Sequence, residues 1–227
     1  MRGAGLLKAF LKELNYVLYI PEAARNVRLI LLKRGAAEMI AELERLSKLG
    51  STWAAASLAY LSLLPSASGT RDVDRARELC AAPAARGDPY ALFVLGYALL
   101  LAHERVKAAE TMLRASNGGF SPATLALAQF AWYGVGTQPR DLKLTEFYLK
   151  KAAARGHKAA FSWTCGLYRT GKFGRLRQLK GYVLAPPASL CLVIAVWRNP
   201  FSENVLVFDG DGKRPALRSR PIALEST

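Results

Sequence analysis

The chain has 227 residues, of which 52% are hydrophobic and 22% charged, a balance that excludes an intrinsically disordered protein and allows a sizeable core. Lys and Arg outnumber Asp and Glu by 32 to 17, and the net charge of +15 favours an anionic partner: nucleic acid, an anionic lipid surface or an acidic protein face. The cysteines Cys80, Cys165 and Cys191 are widely spaced, which excludes a disulfide framework and predicts buried thiols in a reducing compartment.

The N-terminal part of the chain, residues 1–49, is predicted to form capping helices. Residues 6–19 and 24–50 both have helical apolar spacing, and Pro21 separates them. Charged residues interrupt the apolar start, so we expect no secretory signal peptide. No stretch reaches the ~18 uninterrupted apolar residues of a membrane-spanning helix. We therefore expect a cytoplasmic protein and leave peripheral contact with the inner membrane open.

Residues 50–174 contain an internal repeat. The repeat unit begins with a glycine that is followed four residues later by an alanine. Each such alanine begins an apolar helical pattern, and a second helical stretch leads to the next glycine. An acidic residue, Asp72, Glu104 or Asp141, lies fifteen residues before each later glycine, where it can cap the second helix. A glycine is followed four residues later by an alanine four times, with glycine steps of 37, 32 and 37 residues: Gly50/Ala54, Gly87/Ala91, Gly119/Ala123 and Gly156/Ala160.

This pattern resembles the Sel-like repeat family, a relative of the tetratricopeptide repeats. The copy from Ala91 keeps Leu95, Gly96, Lys107 and Ala108 but lacks a glycine loop. The resemblance implies an all-α fold, an α/α superhelical solenoid of about three helix pairs, and a non-enzymatic, bacterial adaptor or scaffold that binds another protein. The best copy, residues 123–156, keeps nine family positions: Leu127, Gly134, Gly136, Asp141, Tyr148, Lys151, Ala152, Ala153 and Gly156.

Candidate catalytic, cofactor and metal residues are absent from the pattern, so none is predicted. The two histidines, His103 and His157, lie at joins between helices, where we expect solvated turn residues. The run from Asp209 to Gly212 resembles the start of a calcium loop but lacks the rest of it, and a hairpin turn is favoured.

The candidate binding residues lie in the C-terminal half. Residues 119–180 hold eleven Lys and Arg against two acids. Exposed positions of the first helices, such as Gln129 and Trp132, are predicted to line the concave surface of the solenoid, which binds the partner. Phe147, Tyr148 and Tyr168 are expected in the core. RNA binding and association with an anionic membrane are the alternatives. The basic candidates for partner contact are Lys150, Lys151, Arg155, Lys158, Arg169, Lys172, Arg175 and Arg177.

The tail, residues 175–227, departs from the repeat and is expected to be irregular. Residues 182–197 are apolar but contain Pro186 and Pro187, which oppose a spanning helix. Residues 204–208 alternate and favour a strand, and the last residues look loose. The tail either caps the open end of the solenoid or, with Lys180 and the other basic residues, forms a second contact for an anionic membrane or a partner subunit.

Overall fold

The computed structural model describes residues 19–21, 24, 26–27, 30, 34–64, 71–135, 139–199, 202–203 and 205. Within these residues there are nine α-helices and no strands, and each helix packs against the next along the chain. This confirms the predicted all-α solenoid. In order, the helices are α1 Ala36–Lys48, α2 Thr52–Ser62, α3 Val73–Ala85, α4 Pro89–Leu101, α5 Arg105–Asn117, α6 Ser121–Tyr133, α7 Leu142–Ala154, α8 Lys158–Arg169 and α9 Arg175–Arg198.

The repeat glycines lie at equivalent turns. Gly50, Gly87, Gly119 and Gly156 have φ values of 89°, 82°, 96° and 90°, a left-handed conformation that favours glycine. At each turn the glycine N–H donates to the carbonyl three residues before it, and the N–H of the next residue donates to the carbonyl five residues before it. For example, the His157 N–H donates to the Ala152 carbonyl at 3.1 Å. This pairing satisfies the carbonyls left open at the helix end. The structure thereby confirms the repeat register.

The three predicted acidic residues lie at helix starts. Asp72 accepts a hydrogen bond from the Arg75 N–H at 3.0 Å, and Asp141 accepts bonds from the first turn of α7. Glu104 also lies at the N-cap position, before α5, but its carboxylate pairs with Arg77 and Lys107 instead. The position at a helix start was thus predicted correctly for all three residues, and the capping hydrogen bond was predicted correctly for Asp72 and Asp141.

The core runs through the repeats because each first helix (α2, α4, α6, α8) is enclosed by its neighbours. The repeat alanines Ala54, Ala91, Ala123 and Ala160 are fully buried, which lets the helices approach closely. Large side chains such as Phe93 fill the spaces between helix pairs. Since no pair can bury its apolar face alone, the stacked pairs stabilise one another.

The N-terminal side of this core is covered by α1. Met39 and Leu43 of α1 are fully buried and pack with Ala54 and Leu58 of α2. Ile20, which precedes α1, joins the same cluster. Most of the predicted helix over residues 6–19 lies outside the described residues.

The segment after Gly174 corrects the prediction of an irregular tail. Arg175–Arg198 is a continuous helix, α9, that contains Pro186 and Pro187. Both prolines face solvent, where water can reach the carbonyls that their missing N–H groups leave unpaired. By length and composition alone, α9 is the one described helix that could cross a membrane. The sequence predicted no spanning helix because its apolar run, residues 182–197, is shorter than the 24 residues of α9. Of the predicted strand over residues 204–208, the structure describes Val205, which lies in a turn.

The first testable prediction concerns the repeat turn and compares two glycines. A Cβ added at Gly87 would meet nothing within 4 Å, so the Gly87→Ala variant is strained only by its left-handed backbone. We expect it to lower the free energy of unfolding by about 1 kcal/mol. Gly166, inside α8, also has open space around a Cβ. Gly166→Ala should raise the free energy by about 0.5–1 kcal/mol.

Urea unfolding followed by far-ultraviolet circular dichroism measures both changes. Equal effects of the two substitutions, or a gain in stability from Gly87→Ala, would contradict the assigned turn.

Candidate functional site

Two neighbouring first helices bring aromatic and cationic side chains together on the surface. Trp132 of α6 and Trp163 of α8 meet edge to face, with ring centroids 6.3 Å apart, and both are half-buried. The Arg140 guanidinium stacks 4.1 Å above the Trp132 ring. Tyr133, at the end of α6, is 61% exposed. We call Trp132, Trp163 and Arg140 the tryptophan patch.

Trp132 is one of the residues that the sequence predicted for partner contact, whereas Trp163 and Arg140 are not among them. Trp163 lies three residues after its repeat alanine, whereas Trp132 lies nine residues after its own. The two rings meet because of how α6 and α8 pack, which the repeat spacing does not specify. The predicted Gln129 lies one turn before Trp132 and is half-buried.

A carboxylate holds two of the predicted basic contact residues. Glu146 of α7 is 8% exposed and pairs with Lys150 at 2.6 Å and with Arg177 of α9 at 2.9 Å. The Tyr168 hydroxyl of α8 donates to the same carboxylate at 2.7 Å. Glu146, Lys150, Tyr168 and Arg177, which we call the Glu146 cluster, therefore join α7, α8 and α9. Lys150 and Arg177 are thus engaged in contacts within the fold.

Ionisation within the Glu146 cluster follows from these contacts. Burial raises the pKa of Glu146, but hydrogen bonds from Lys150 and Tyr168 and the positive charges of Lys150 and Arg177 outweigh it, so the pKa is lowered overall. The hydrogen bond to Glu146 raises the pKa of Lys150 in turn. Each shift favours the charged pair, so the cluster stabilises the fold at neutral pH.

Arg155 also makes contacts inside the solenoid. Its guanidinium donates to the Ser116 carbonyl and to the Thr124 hydroxyl, both at 2.7 Å. Ser116 and Thr124 are buried at the end of α5 and in α6. Arg155 thus ties the end of α7 to the preceding repeat, a structural role that the sequence pattern did not indicate.

The other predicted basic residues lie nearer to solvent. Lys151 and Lys158 are half-buried, whereas Lys172 and Arg175 are exposed. Arg169 is exposed and stacks over the Tyr182 ring at 5.2 Å. Their part in partner contact stays a prediction.

The exposures predicted for His157 and Phe147 are wrong. His157 is fully buried, because as the N-cap of α8 its Nδ1 turns back to accept the Ala160 N–H at 3.3 Å. Phe147 is 56% exposed, because it and Tyr148 are adjacent on α7 and cannot both face the core. Tyr148 is half-buried and Tyr168 buried, as predicted. His103 is exposed in a turn, with φ of 64°.

The cysteines divide into two kinds. Cys80 and Cys165 are buried as predicted, and burial, with Asp88 nearby, raises the pKa of the Cys80 thiol to about 12. Cys191 is exposed, contrary to prediction, because its apolar neighbours on α9 are themselves exposed. Within the described ranges, no three His, Cys, Asp or Glu side chains are placed to hold a metal ion.

Comparison with solved structures supports the repeat architecture. The chain is similar to the crystal structure of a Sel1 repeat protein from Oxalobacter formigenes, with a TM-score of 0.56 and 17% sequence identity over 90% of this chain and 94% of that chain. No family model matches the sequence, and no curated protein matches it. At this identity the likeness shows the fold, a Sel1-type helical-repeat solenoid, and it confirms the resemblance found in the repeats.

The second testable prediction concerns the Glu146 cluster. Glu146→Gln should lower the free energy of unfolding at pH 7 by about 1–2 kcal/mol, since Lys150 and Arg177 are about half exposed and water screens part of their attraction. Because the pKa of Glu146 is lowered in the fold, this stabilisation is complete above the unfolded pKa of about 4.3 and is lost as pH falls through the folded value.

Urea unfolding of both proteins from neutral pH down to about pH 3 measures the difference. Glu110→Gln, the same chemical change at an exposed position of α5, should stay within about 0.5 kcal/mol of the unmodified protein. A Glu146→Gln difference that grows on acidification would contradict the assignment.

Proposed function

We propose that this chain is a non-enzymatic protein-interaction module, an adaptor or scaffold whose contact surface centres on the tryptophan patch. Helical-repeat solenoids have extended surfaces that suit binding of another protein, and the structural neighbour is a repeat protein of this kind. Fold alone does not define a function, so the proposal depends on the patch itself.

The tryptophan patch has the composition of an interaction hot spot. Trp and Arg are among the residues that contribute most often to binding energy at protein interfaces, and the patch contains both. Trp132 and Trp163 already contact each other, and Arg140 stacks on Trp132. Side chains that are ordered before binding lose less entropy when a partner docks. This prior ordering is the observation that carries the proposal.

Charge favours a partner with an acidic face. Residues 119–180 contain eleven Lys and Arg and only two carboxylates. Both carboxylates are engaged, because Asp141 caps α7 and Glu146 holds the Glu146 cluster together. The excess positive charge of this part of the chain favours association with an acidic protein surface.

A catalytic role is not proposed. Glu146, Lys150 and Tyr168, three ionisable groups with shifted pKa values in this half of the chain, bind one another. Their arrangement joins three helices and leaves the carboxylate enclosed. Structural ion-pair clusters shift pKa values for this reason as readily as active sites do.

The third testable prediction is a loss of partner binding when the patch is truncated. The combined Trp132→Ala and Arg140→Ala variant should bind the partner at least about tenfold more weakly, because it removes an aromatic anchor and its stacked cation. The measurement is affinity capture from native lysate with quantitative mass spectrometry, at low and at high salt and after nuclease treatment.

Phe147→Ala is the control for loss of an aromatic side chain, because Phe147 is exposed and lies outside the patch. It should retain the same stoichiometric protein as the unmodified chain. Equal losses in both variants would contradict the proposal, and so would capture of nuclease-sensitive RNA alone with a steep salt dependence.

A further inference from the structure

Helix α9 exposes a stripe of apolar side chains along its whole length. Their spacing alternates between three and four residues, which places them on one face of a helix. All seven side chains are exposed, and the exposed fractions of the six other than Pro186 range from 60% at Leu190 to 85% at Trp197. We call this face the outer stripe; it consists of Leu176, Leu179, Val183, Pro186, Leu190, Val193 and Trp197.

The opposite face of α9 lies against the solenoid. Gly181 and Ala188 are its buried residues, and a Cβ at Gly181 would lie 2.9 Å from the backbone nitrogen of Arg169 and from the carbonyl oxygen of Cys165. Helix α9 therefore has two apolar faces with different surroundings. Its inner face packs on α8, whereas its outer stripe faces water and has no counterpart among the described residues.

Both ends of α9 are attached to the solenoid. At its start, Arg177 pairs with Glu146 of α7 at 2.9 Å. Beyond its end, the chain turns back, and Val205, which is 3% exposed, lines one cleft with Lys158 of α8 and Ile194 of α9. A helix held at both ends on one side cannot cross a bilayer without breaking these contacts. It can lie along a bilayer surface with the outer stripe inserted.

Charge selects the surface that the outer stripe meets. Residues 158–202 contain seven Lys and Arg and no Asp or Glu. Arg175 and Lys180 near the start of α9, and Arg198 at its end, are exposed. Two soluble helices that pair through such a stripe carry opposite charges beside it. A second copy of this chain would bring like charges together, whereas an anionic lipid surface attracts every one of these residues.

We propose that α9 is a membrane-binding helix that lies in the headgroup region of an anionic bilayer, with the outer stripe among the lipid chains and the solenoid on the aqueous side. Tyr182 and Trp197, near the two ends of the apolar run, have the amphipathic rings that settle at membrane interfaces. The solenoid takes the place of the polar face that an interfacial helix otherwise presents to water.

Co-sedimentation of the full chain with vesicles tests this proposal. The chain should bind vesicles of equimolar phosphatidylcholine and phosphatidylglycerol at least about tenfold more tightly than phosphatidylcholine alone, and molar salt should release it. The combined Leu179→Asn and Leu190→Asn variant should lose at least about tenfold in binding to the mixed vesicles, because two apolar side chains no longer enter the bilayer.

The matched control is Val106→Asn with Leu113→Asn, two exposed apolar residues of α5. It should bind as the unmodified chain does, and circular dichroism should show both variants folded. Equal losses in the two variants overturn the proposal. Light scattering in the absence of lipid supplies a second criterion. If the unmodified chain is a dimer that does not bind vesicles, and Leu179→Asn with Leu190→Asn makes it monomeric, the outer stripe binds a second copy of this chain and the proposal is overturned.

Tryptophan fluorescence reports the placement of α9 independently of affinity. Phospholipids brominated on their acyl chains should quench Trp197, and the Trp197→Phe variant should lose that quenching while it still sediments with vesicles. Trp132→Phe should retain the quenching. Quenching that persists in Trp197→Phe would place another surface in the lipid and overturn the proposal.

Discussion

The left-handed turn that closes each second helix is the constraint on which the rest of the structure depends. Four times, at Gly50, Gly87, Gly119 and Gly156, the same pair of hydrogen bonds ends one helix and aims the next. Because the turn repeats, each alanine four residues later comes to the same enclosed position, and the helix pairs stack with a common geometry. The continuous core, the order of the helices and the long surface follow from that repetition.

The stack of helix pairs has two ends, and the helices that cover them differ in their outer faces. At the N-terminal side, α1 buries Met39 and Leu43 against α2 and faces water with charged residues. At the C-terminal side, α9 covers α8 but leaves its outer stripe in contact with solvent. A terminal unit whose outer face is apolar does not complete a soluble solenoid. The proposed insertion of the outer stripe into a bilayer would cover this face.

The basic charge of this protein serves two purposes that composition cannot separate. Arg155 and Arg177 join helices through Ser116, Thr124 and Glu146, and Lys150 pairs with Glu146 within α7. Exposed cations such as Lys172 and Arg175 remain on the surface. The tryptophan patch and the outer stripe are separate surfaces of the solenoid. Residues of either surface can be substituted without removing a member of the Glu146 cluster.

The sequence by itself determined the repeat, since glycine and alanine spacing reflects local geometry that every copy must satisfy. It likewise predicted the helix starts at Asp72, Glu104 and Asp141. Only the tertiary structure decided which side chains meet: the pairing of Trp132 with Trp163, the inward turn of Arg155, the burial of His157 and the exposure of Phe147. It also decided that the chain through Pro186 and Pro187 is helical. These outcomes depend on packing between helices distant in sequence, and local spacing carries no information about that packing.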